Sequence, residues 1–287
     1  MPSNHNREGL TPIWEPPIQE IEAVRSEVLS FFSENGRDLP WRRTRDPYRI
    51  LVSEVMLQQT QVSRVLPYFD RFLARFPNEA ALARADAGDV LRVWQGLGYN
   101  RRAVYLKRAA NCVITTYDGE FPRQIQDIES LPGVGKYTAR AVACFAFNIQ
   151  VAIVETNVRK AITLFARRFE WPFHRSTIDR LALVLMPPGR AWEWNQAMID
   201  YGALVVRPDT LRRTNSVATI PFEETDRFWR GRIMAALCAA PSPLTVTRLL
   251  RELPQGGDEY RVRCLIWDLD VEGLVRHDSE DDAVRLP

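Results

Sequence analysis

The chain has 287 residues, and its 38 Lys and Arg nearly balance its 36 Asp and Glu, which leaves a formal net charge of +2. A chain of this length can bury the core of one large or two modest domains. No stretch approaches the roughly 18 consecutive apolar residues of a membrane-spanning helix, and the polar N-terminus is unlike a signal peptide. The sequence therefore predicts a soluble cytoplasmic protein with no membrane partner, and it excludes a membrane-embedded one.

The charges are unevenly distributed, although their sum is almost zero. The C-terminal segment 278–282 is acidic, whereas basic residues are clustered elsewhere. This distribution predicts a basic body, suited to an anionic partner, and an acidic end. The basic clusters lie at residues 42–45, 101–102, 107–108, 159–160 and 212–213.

The four cysteines lie at positions 112, 144, 238 and 264, far apart and without a Cys-x-x-Cys pair. Each stands among apolar neighbours in a helical pattern. Buried free thiols are therefore expected, rather than disulfides or metal ligands.

Helical periodicity dominates the first 206 residues. Residues 1–17 hold four prolines and are expected to form an arm. Apolar spacing from Ile18 then predicts a helix that ends at Asn35-Gly36. Strand patterns are almost absent, so the sequence predicts an all-helical body of about ten to twelve helices with short loops. Further helices are predicted at residues 48–57, 61–76, 86–95, 101–117, 124–131, 156–169, 176–186 and 191–206.

The C-terminal part has a different pattern. Residues 207–221 contain two prolines and scattered polar residues, which is typical of a linker. Residues 222–287 then show three short helical patterns, the second with Thr245 as a helix cap, followed by two short strands around an acidic turn. Three helices and a hairpin resemble a winged-helix domain, so a small α+β domain is predicted here.

Residues 131–160 combine a glycine-rich turn, a nearly uncharged helix and one carboxylate. The turn reads Leu-Pro-Gly-Val-Gly from residue 131 and lies between two helical patterns, so we expect positive φ at Gly133 and Gly135. Its amides lead into a helix N-terminus, an arrangement that binds anions such as phosphate. Glu155 opens the next helix, whose dipole favours an ionised carboxylate there. The stretch predicts chemistry on nucleic acid.

This stretch resembles the helix-hairpin-helix DNA glycosylases. The resemblance rests on Leu-Pro-Gly-Val-Gly-x-x-Thr-Ala at 131–139 and Glu-Thr-Asn-Val-Arg at 155–159. It implies a mainly α fold with a two-lobed body, double-stranded DNA as partner, nucleoid association, and an alkali-metal ion at the hairpin carbonyls. The domains expected are an arm at 1–17, a body at 18–206 with lobes 36–140 and 18–35 plus 141–206, a linker at 207–221 and a winged-helix-like domain at 222–287.

A second segment, Ser53 to Val62, resembles the adenine DNA glycosylase branch of that family. The resemblance implies that Glu54 protonates the departing base, a role that burial among apolar residues would support. It implies that Glu155 is the catalytic carboxylate. For the remaining site residues it implies a base pocket at Trp41, Arg42, Tyr137 and Asp200, and DNA contacts from Gln58, Gln59, Thr60, Tyr99, Arg101, Leu131, Gly133, Val134, Gly135, Lys136 and Asn157.

The chain departs from the family pattern in several places. Glu155 stands where the family carries Asp, which adds one methylene of reach, and a misplacement near 1 Å costs about a hundredfold in rate. Tyr137 stands where the endonuclease III branch has its Schiff-base lysine, so β-elimination through this residue is excluded. Tyr137 instead resembles the thymine and uracil mismatch glycosylases.

No cysteine follows Tyr201-Gly-Ala as in iron–sulfur relatives, so no cluster and no other cofactor is expected.

These patterns predict a monofunctional DNA glycosylase that flips a mispaired base and hydrolyses its glycosidic bond. Adenine opposite 8-oxoguanine or guanine is the favoured substrate, and uracil or thymine opposite guanine is the alternative. An alternative of another class is a non-catalytic DNA-binding regulator that uses its winged helix. The C-terminal domain lacks the family's 8-oxoguanine-inspecting fold, and its acidic wing would repel phosphate. We therefore expect this domain to pack on the body or to bind a protein.

Overall fold

The computed structural model describes residues 14–172, 174–206, 221–254 and 258–287. Most of the predicted arm, nearly all of the predicted linker and the basic pair at 212–213 lie outside these residues. The described chain is mainly helical with one small sheet, as predicted. The α-helices are α1 Ile18–Asn35, α2 Pro47–Leu57, α3 Val62–Arg75, α4 Glu79–Arg84, α5 Ala87–Trp94, α6 Arg101–Thr116, α7 Ile125–Ser130, α8 Lys136–Phe147, α9 Thr156–Arg168, α10 Ile178–Val184, α11 Ala191–Leu204, α12 Asp226–Ala239, α13 Val246–Glu252 and α14 Glu259–Val271.

The chain divides into two compact units. The first unit contains the described residues up to Asp38 and those from Asn148 to Val206, and so includes α1 and α9–α11. The second unit contains Leu39–Phe147 together with the described residues from Pro221 onward. The C-terminal elements thus belong to the same unit as the hairpin and α2.

In the first unit, α11 packs against both α1 and α9. Gly202 on α11 makes the close approach to α9 feasible, because a Cβ atom there would lie 1.9 Å from the carbonyl oxygen of Asn157. The C-terminal end of α10 is held by Arg25 of α1, whose guanidinium donates to the carbonyls of Leu185 at 2.9 Å and Val184 at 3.1 Å. The close approach of Gly202 to Asn157 fixes the start of α9, where Glu155 lies.

In the second unit, α2 is buried on nearly all sides. Every residue from Tyr48 to Met56 except Arg49 is buried, as expected of a helix that is apolar all round. Pro47 opens the helix, and Asp46 caps it by accepting from the amides of Tyr48 at 2.9 Å and Arg49 at 3.3 Å. The helix packs against α8, which follows the hairpin. This packing places the end of α2 beside the hairpin.

The C-terminal residues form the predicted winged-helix-like arrangement. Helices α13 and α14 pack on a three-stranded antiparallel sheet with strand order β1-β3-β2, and α12 packs against both of these helices. Thr245 caps α13, as predicted, by accepting from the Arg248 amide at 3.3 Å. The chain end packs on α5, where the Gly88 amide donates to the carbonyl of Pro287 at 3.1 Å. The strands are β1 Leu244–Thr245, β2 Arg276–Asp278 and β3 Ala283–Arg285.

One expectation, that all four cysteines are buried, was wrong. The cysteines form no disulfide, but Cys264 is exposed on α14 and only Cys144 is fully buried. The short strand β1 was not predicted from the sequence, since two residues show no periodicity. Among the described residues, no helix is long and apolar enough to cross a membrane.

Candidate active site

The hairpin between α7 and α8 turns on Gly133, whose φ is 77°. A Cβ atom there would lie 2.5 Å from the Cβ of Tyr105, so only glycine fits. The turn is closed by the Val134 amide, which donates to the carbonyl of Leu131 at 3.0 Å. The side chains of Leu131 and Val134 are buried. These two residues therefore anchor the hairpin, and their side chains do not face an external ligand.

The outer part of the hairpin is open. Gly133, Gly135 and Lys136 are exposed, and a Cβ atom at Gly135 would meet no atom within 4 Å. The expectation of positive φ at Gly135 was wrong, because only Gly133 of this pair is left-handed. Glycine at 135 instead leaves space beside the first turn of α8. An anion can approach the backbone amides through that space.

Glu54 lies near the C-terminal end of α2 and is only 6% exposed. Gln58, which ends the helix, follows it by four residues and so lies on the same side of α2. The Gln58 side-chain amide donates to the hydroxyl of Thr138 at 3.3 Å, which connects the end of α2 to α8. The Glu54 carboxyl, to which the resemblance assigns proton donation, is thus largely excluded from water. It lies one helical turn from Gln58–Thr60, the loop to which the resemblance assigns DNA contacts.

Two loop tips stand beside one another in the second unit, and each carries a non-glycine residue in the left-handed region. Gln59 has φ 54° and is exposed. Tyr99 has φ 49° and is 39% exposed. Such conformations cost on the order of 1–3 kcal/mol each and persist where the surroundings impose them. Gly96, at φ 97°, starts the second loop, and a Cβ atom there would lie 2.0 Å from the Tyr68 hydroxyl.

Arg102 imposes the shape of both loops, a role that the sequence analysis missed. Its Nη1 donates to the carbonyls of Val55 at 2.8 Å, Met56 at 2.9 Å and Gln58 at 2.6 Å. Its Nη2 donates to the Thr60 hydroxyl at 3.2 Å and to the carbonyl of Gly98 at 2.9 Å. Burial lowers the pKa of Arg102 to about 10. One guanidinium therefore caps α2 and joins the two loops.

Arg101, the neighbour of Arg102, has the opposite environment. Its side chain is exposed and donates to the Tyr105 hydroxyl at 3.0 Å. The basic pair at 101–102 was interpreted as one cationic cluster. The structure divides it into a buried structural residue and an exposed residue that can meet an anion.

Arg102→Lys is expected to lower the free energy of unfolding by about 2 kcal/mol, because a single ammonium cannot reach carbonyls on both loops and leaves buried acceptors unsatisfied. The measurement is denaturant unfolding of the whole protein. Arg101→Lys is the matched control, since it makes the same change at an exposed neighbour and should leave stability unchanged. Equal stability of the two variants would contradict the structural role of Arg102.

In the first unit, Glu155 is the N-cap of α9. Its Oε1 accepts from the amides of Asn157 at 2.7 Å and Val158 at 2.8 Å. Its Oε2 accepts a longer bond, 3.3 Å, from the Asn157 side chain. The Asn157 Oδ1 in turn accepts from Lys160 at 3.3 Å. The extra methylene of Glu155 is thus taken up by folding the carboxylate back onto its own helix.

Two of the residues assigned to a base pocket have structural partners within their own units. Asp200 is completely buried, and its two carboxylate oxygens accept from the Arg37 backbone amide and guanidinium, each at 2.8 Å. Trp41 is buried edge-on against Phe69, with ring centroids 5.4 Å apart. The structure places Asp200 in a buried ion pair with Arg37. Tyr137, by contrast, is 37% exposed on the first turn of α8.

The remaining base-pocket residue, Arg42, is half-buried at the end of the short 3-10 turn Pro40–Arg42. Among the described residues there is no group of three or more His, Cys, Asp or Glu side chains that could hold a metal ion. The hairpin offers a different donor set, since backbone carbonyls can hold an alkali-metal ion. Gly133 is exposed and the space beside Gly135 is open, so an ion can approach the hairpin backbone.

Comparisons with known proteins agree with this geometry. Residues 52–181 match the model of the HhH-GPD superfamily base excision DNA repair protein. The chain is 37% identical over 274 residues to the adenine DNA glycosylase of Mycolicibacterium smegmatis, covering 88% of this chain and 93% of the relative. It is 34% identical over 186 residues to the thymine/uracil-DNA glycosylase of Methanothermobacter thermautotrophicus, covering 64% of this chain and 84% of the relative.

A solved structure gives the same result. The structure of a thermostable thymine-DNA glycosylase superposes with a TM-score of 0.62 at 32% identity, covering 67% of this chain and 90% of that chain. The resemblance inferred from the hairpin and from residues 53–62 is confirmed. The chain belongs to the HhH-GPD superfamily of base excision DNA repair proteins and is a DNA glycosylase.

Proposed function

We propose that this DNA glycosylase is monofunctional and removes adenine opposite 8-oxoguanine or guanine. The observation that carries the proposal is the buried Glu54, one helical turn before the Gln58–Thr60 loop. A carboxylic acid excluded from water is easier to keep protonated than an exposed one. A proton donor of this kind suits a purine, whose ring nitrogens accept a proton before the base departs. Double-stranded chromosomal DNA is the substrate, so the enzyme works at the nucleoid.

The reaction uses the two carboxyl groups in different protonation states. Glu54 donates its proton to a ring nitrogen of the base, and the bond between that base and C1′ breaks with its electron pair leaving on the base. Glu155, ionised at the start of α9, stabilises the positive charge that develops at C1′. Water then bonds to C1′ and loses a proton, which leaves an abasic site. The pairing of one acid with one stabilising carboxylate is that of a retaining glycosidase.

Strand cleavage is not part of the proposed reaction. Tyr137 stands on the first turn of α8, where the endonuclease III branch has a lysine, and a phenol forms no Schiff base with the sugar. The hairpin supplies binding instead. Its exposed Gly133, Gly135 and Lys136 bind a phosphate, and carbonyls of residues 131–134 would hold an alkali-metal ion, whose positive charge adds to the attraction for that phosphate.

Uracil or thymine opposite guanine is a second candidate substrate, and it has its own support. Tyr137 matches the residue that the thymine and uracil mismatch branch carries at this position. One relative is also named thymine/uracil-DNA glycosylase. The adenine proposal is favoured because the sequence of residues 53–62, which contains Glu54, resembles that of the adenine branch. The relative that covers 88% of this chain also bears the name adenine DNA glycosylase.

A panel of mismatched duplexes tests the proposal. Adenine opposite 8-oxoguanine, adenine opposite guanine, thymine opposite guanine and uracil opposite guanine are incubated with excess enzyme. We expect adenine to be released from the first two, with strand breaks only after alkali. Activity confined to thymine or uracil would overturn the choice of base, and strand breaks without alkali would overturn the monofunctional assignment. Release of no base from any duplex would overturn the proposed function itself.

A further inference from the structure

The second unit contains a groove of about 830 Å³ beside the two loop tips. One side of the groove is formed by the loops at Gln58–Gln59 and Gln95–Arg102. The other side is formed by the first helix of the winged-helix-like domain, α12, and by residues of α14. The charged residues that line it are Arg64, Arg101, Arg102, Arg227, Arg230, Arg232 and Glu272.

The charge of this groove is strongly positive, since its charged lining comprises six arginines and one glutamate. Glu272 is engaged with Arg230 at 2.5 Å and so neutralises one of the arginines on α12. Arg227 and Arg232, on the same helix, are exposed. The guanidinium of Arg227 lies 4.4 Å from the centroid of the Tyr99 ring. A cation from the C-terminal domain is therefore in contact with the exposed tip of the second loop.

We propose that α12 extends the DNA-binding surface, with Arg227 and Arg232 contacting phosphates that flank the site where Tyr99 enters the duplex. The inference rests on the proposed function and on the DNA contact that the family resemblance implies for Tyr99. Phosphates of one strand follow one another about every 3.4 Å along the helix axis. The Arg227 guanidinium, 4.4 Å from the ring of Tyr99, therefore stands beside closely spaced phosphates of the strand that Tyr99 would contact.

The third helix and the wing, where a winged-helix domain would be expected to meet DNA, are not suited to phosphate. Arg263 of α14 donates to Glu259 at 2.9 Å and to Asp282 of the wing at 2.8 Å. Arg261 donates to Asp226 at 2.9 Å. The basic side chains of α14 are thus neutralised by carboxylates. Of the described arginines on α12 and α14, Arg227 and Arg232 are exposed, line the groove and take no part in the ion pairs that hold Arg230, Arg261 and Arg263.

The test measures how binding depends on salt. Each phosphate contact contributes about 0.9 to the slope of log K against log salt concentration for duplex DNA. The double variant Arg227→Ala, Arg232→Ala is expected to bind roughly tenfold more weakly, with a slope shallower by about 2. Arg251→Ala is the matched control, because Arg251 is exposed on α13 outside the groove. It should keep the wild-type slope.

A charge-preserving variant keeps the test decisive if the alanine variant unfolds. Arg227→Lys with Arg232→Lys should retain the wild-type slope, because a phosphate requires only the positive charge. An unchanged slope in the alanine variant, or an equal loss of slope in the lysine variant, would overturn the proposal. The probe is a duplex with an abasic-site analogue opposite guanine, which needs no excision. A failure of α12 to bind DNA is therefore distinguishable from a failure of the proposed reaction.

Discussion

Glu54→Gln is expected to slow adenine release by about a thousandfold, within the range of effects reported for the loss of a general acid. Glutamine has nearly the same size and shape as glutamic acid, so the buried position in α2 keeps its packing. Its amide has no acidic proton to give to the departing base. Affinity for a duplex with an abasic-site analogue should therefore be retained. The measurement is single-turnover release from adenine opposite 8-oxoguanine, with enzyme in excess.

Glu79→Gln provides the control for loss of a half-buried carboxyl in the same unit. Glu79 opens α4, and burial raises the pKa of its carboxyl. Because α4 carries none of the proposed site residues, this variant should release adenine at the wild-type rate. If Glu54→Gln released adenine as fast as the wild type, another group would have to supply the proton. If both variants were equally slow, the effect of Glu54→Gln would be one of folding.

Most of the helices could be predicted because they are specified locally, although the short α4, Glu79–Arg84, was missed. The apolar spacing after Ile18 and the stop at Asn35-Gly36 predicted α1, whose observed bounds are Ile18–Asn35. Thr245 marked the start of α13 through the cap that it forms. The two-residue strand β1 could not be predicted in this way. It exists because Leu244 and Thr245 pair with β3, some forty residues later in the chain.

The roles of buried polar residues were harder to predict. Asp200 was placed in a base pocket by the resemblance alone, yet it is paired with Arg37, which lies 163 positions away in the sequence. Long-range partners of this kind leave no local pattern. Arg102 did leave one, since it precedes Leu106 by four residues and Ala109 by seven. It therefore continues the buried stripe of α6. That spacing distinguishes it from the exposed Arg101.

Glu155→Gln is expected to slow base release by about a thousandfold while leaving α9 intact. The glutamine carbonyl oxygen can still accept from the amides of Asn157 and Val158, as Oε1 does now. What it lacks is the negative charge that would stabilise a cation at C1′. Single-turnover release and thermal unfolding measured on the same preparation separate these two effects. Release at the wild-type rate would show that Glu155 has no catalytic role.

Two further substitutions separate the helix-capping role of Glu155 from the role of its negative charge. Glu155→Ala removes both, so it should lose activity as Glu155→Gln does and also destabilise the protein by about 1 kcal/mol, the usual cost of a lost N-cap. Glu155→Asp keeps both, because a shorter carboxylate at the same position can accept from the same two amides. We expect it to retain stability and substantial activity. If Asp instead were as inactive as Gln, the reach of the longer side chain would be essential. The backbone before α9 would then have to hold Glu155 farther from the sugar than the family's aspartate.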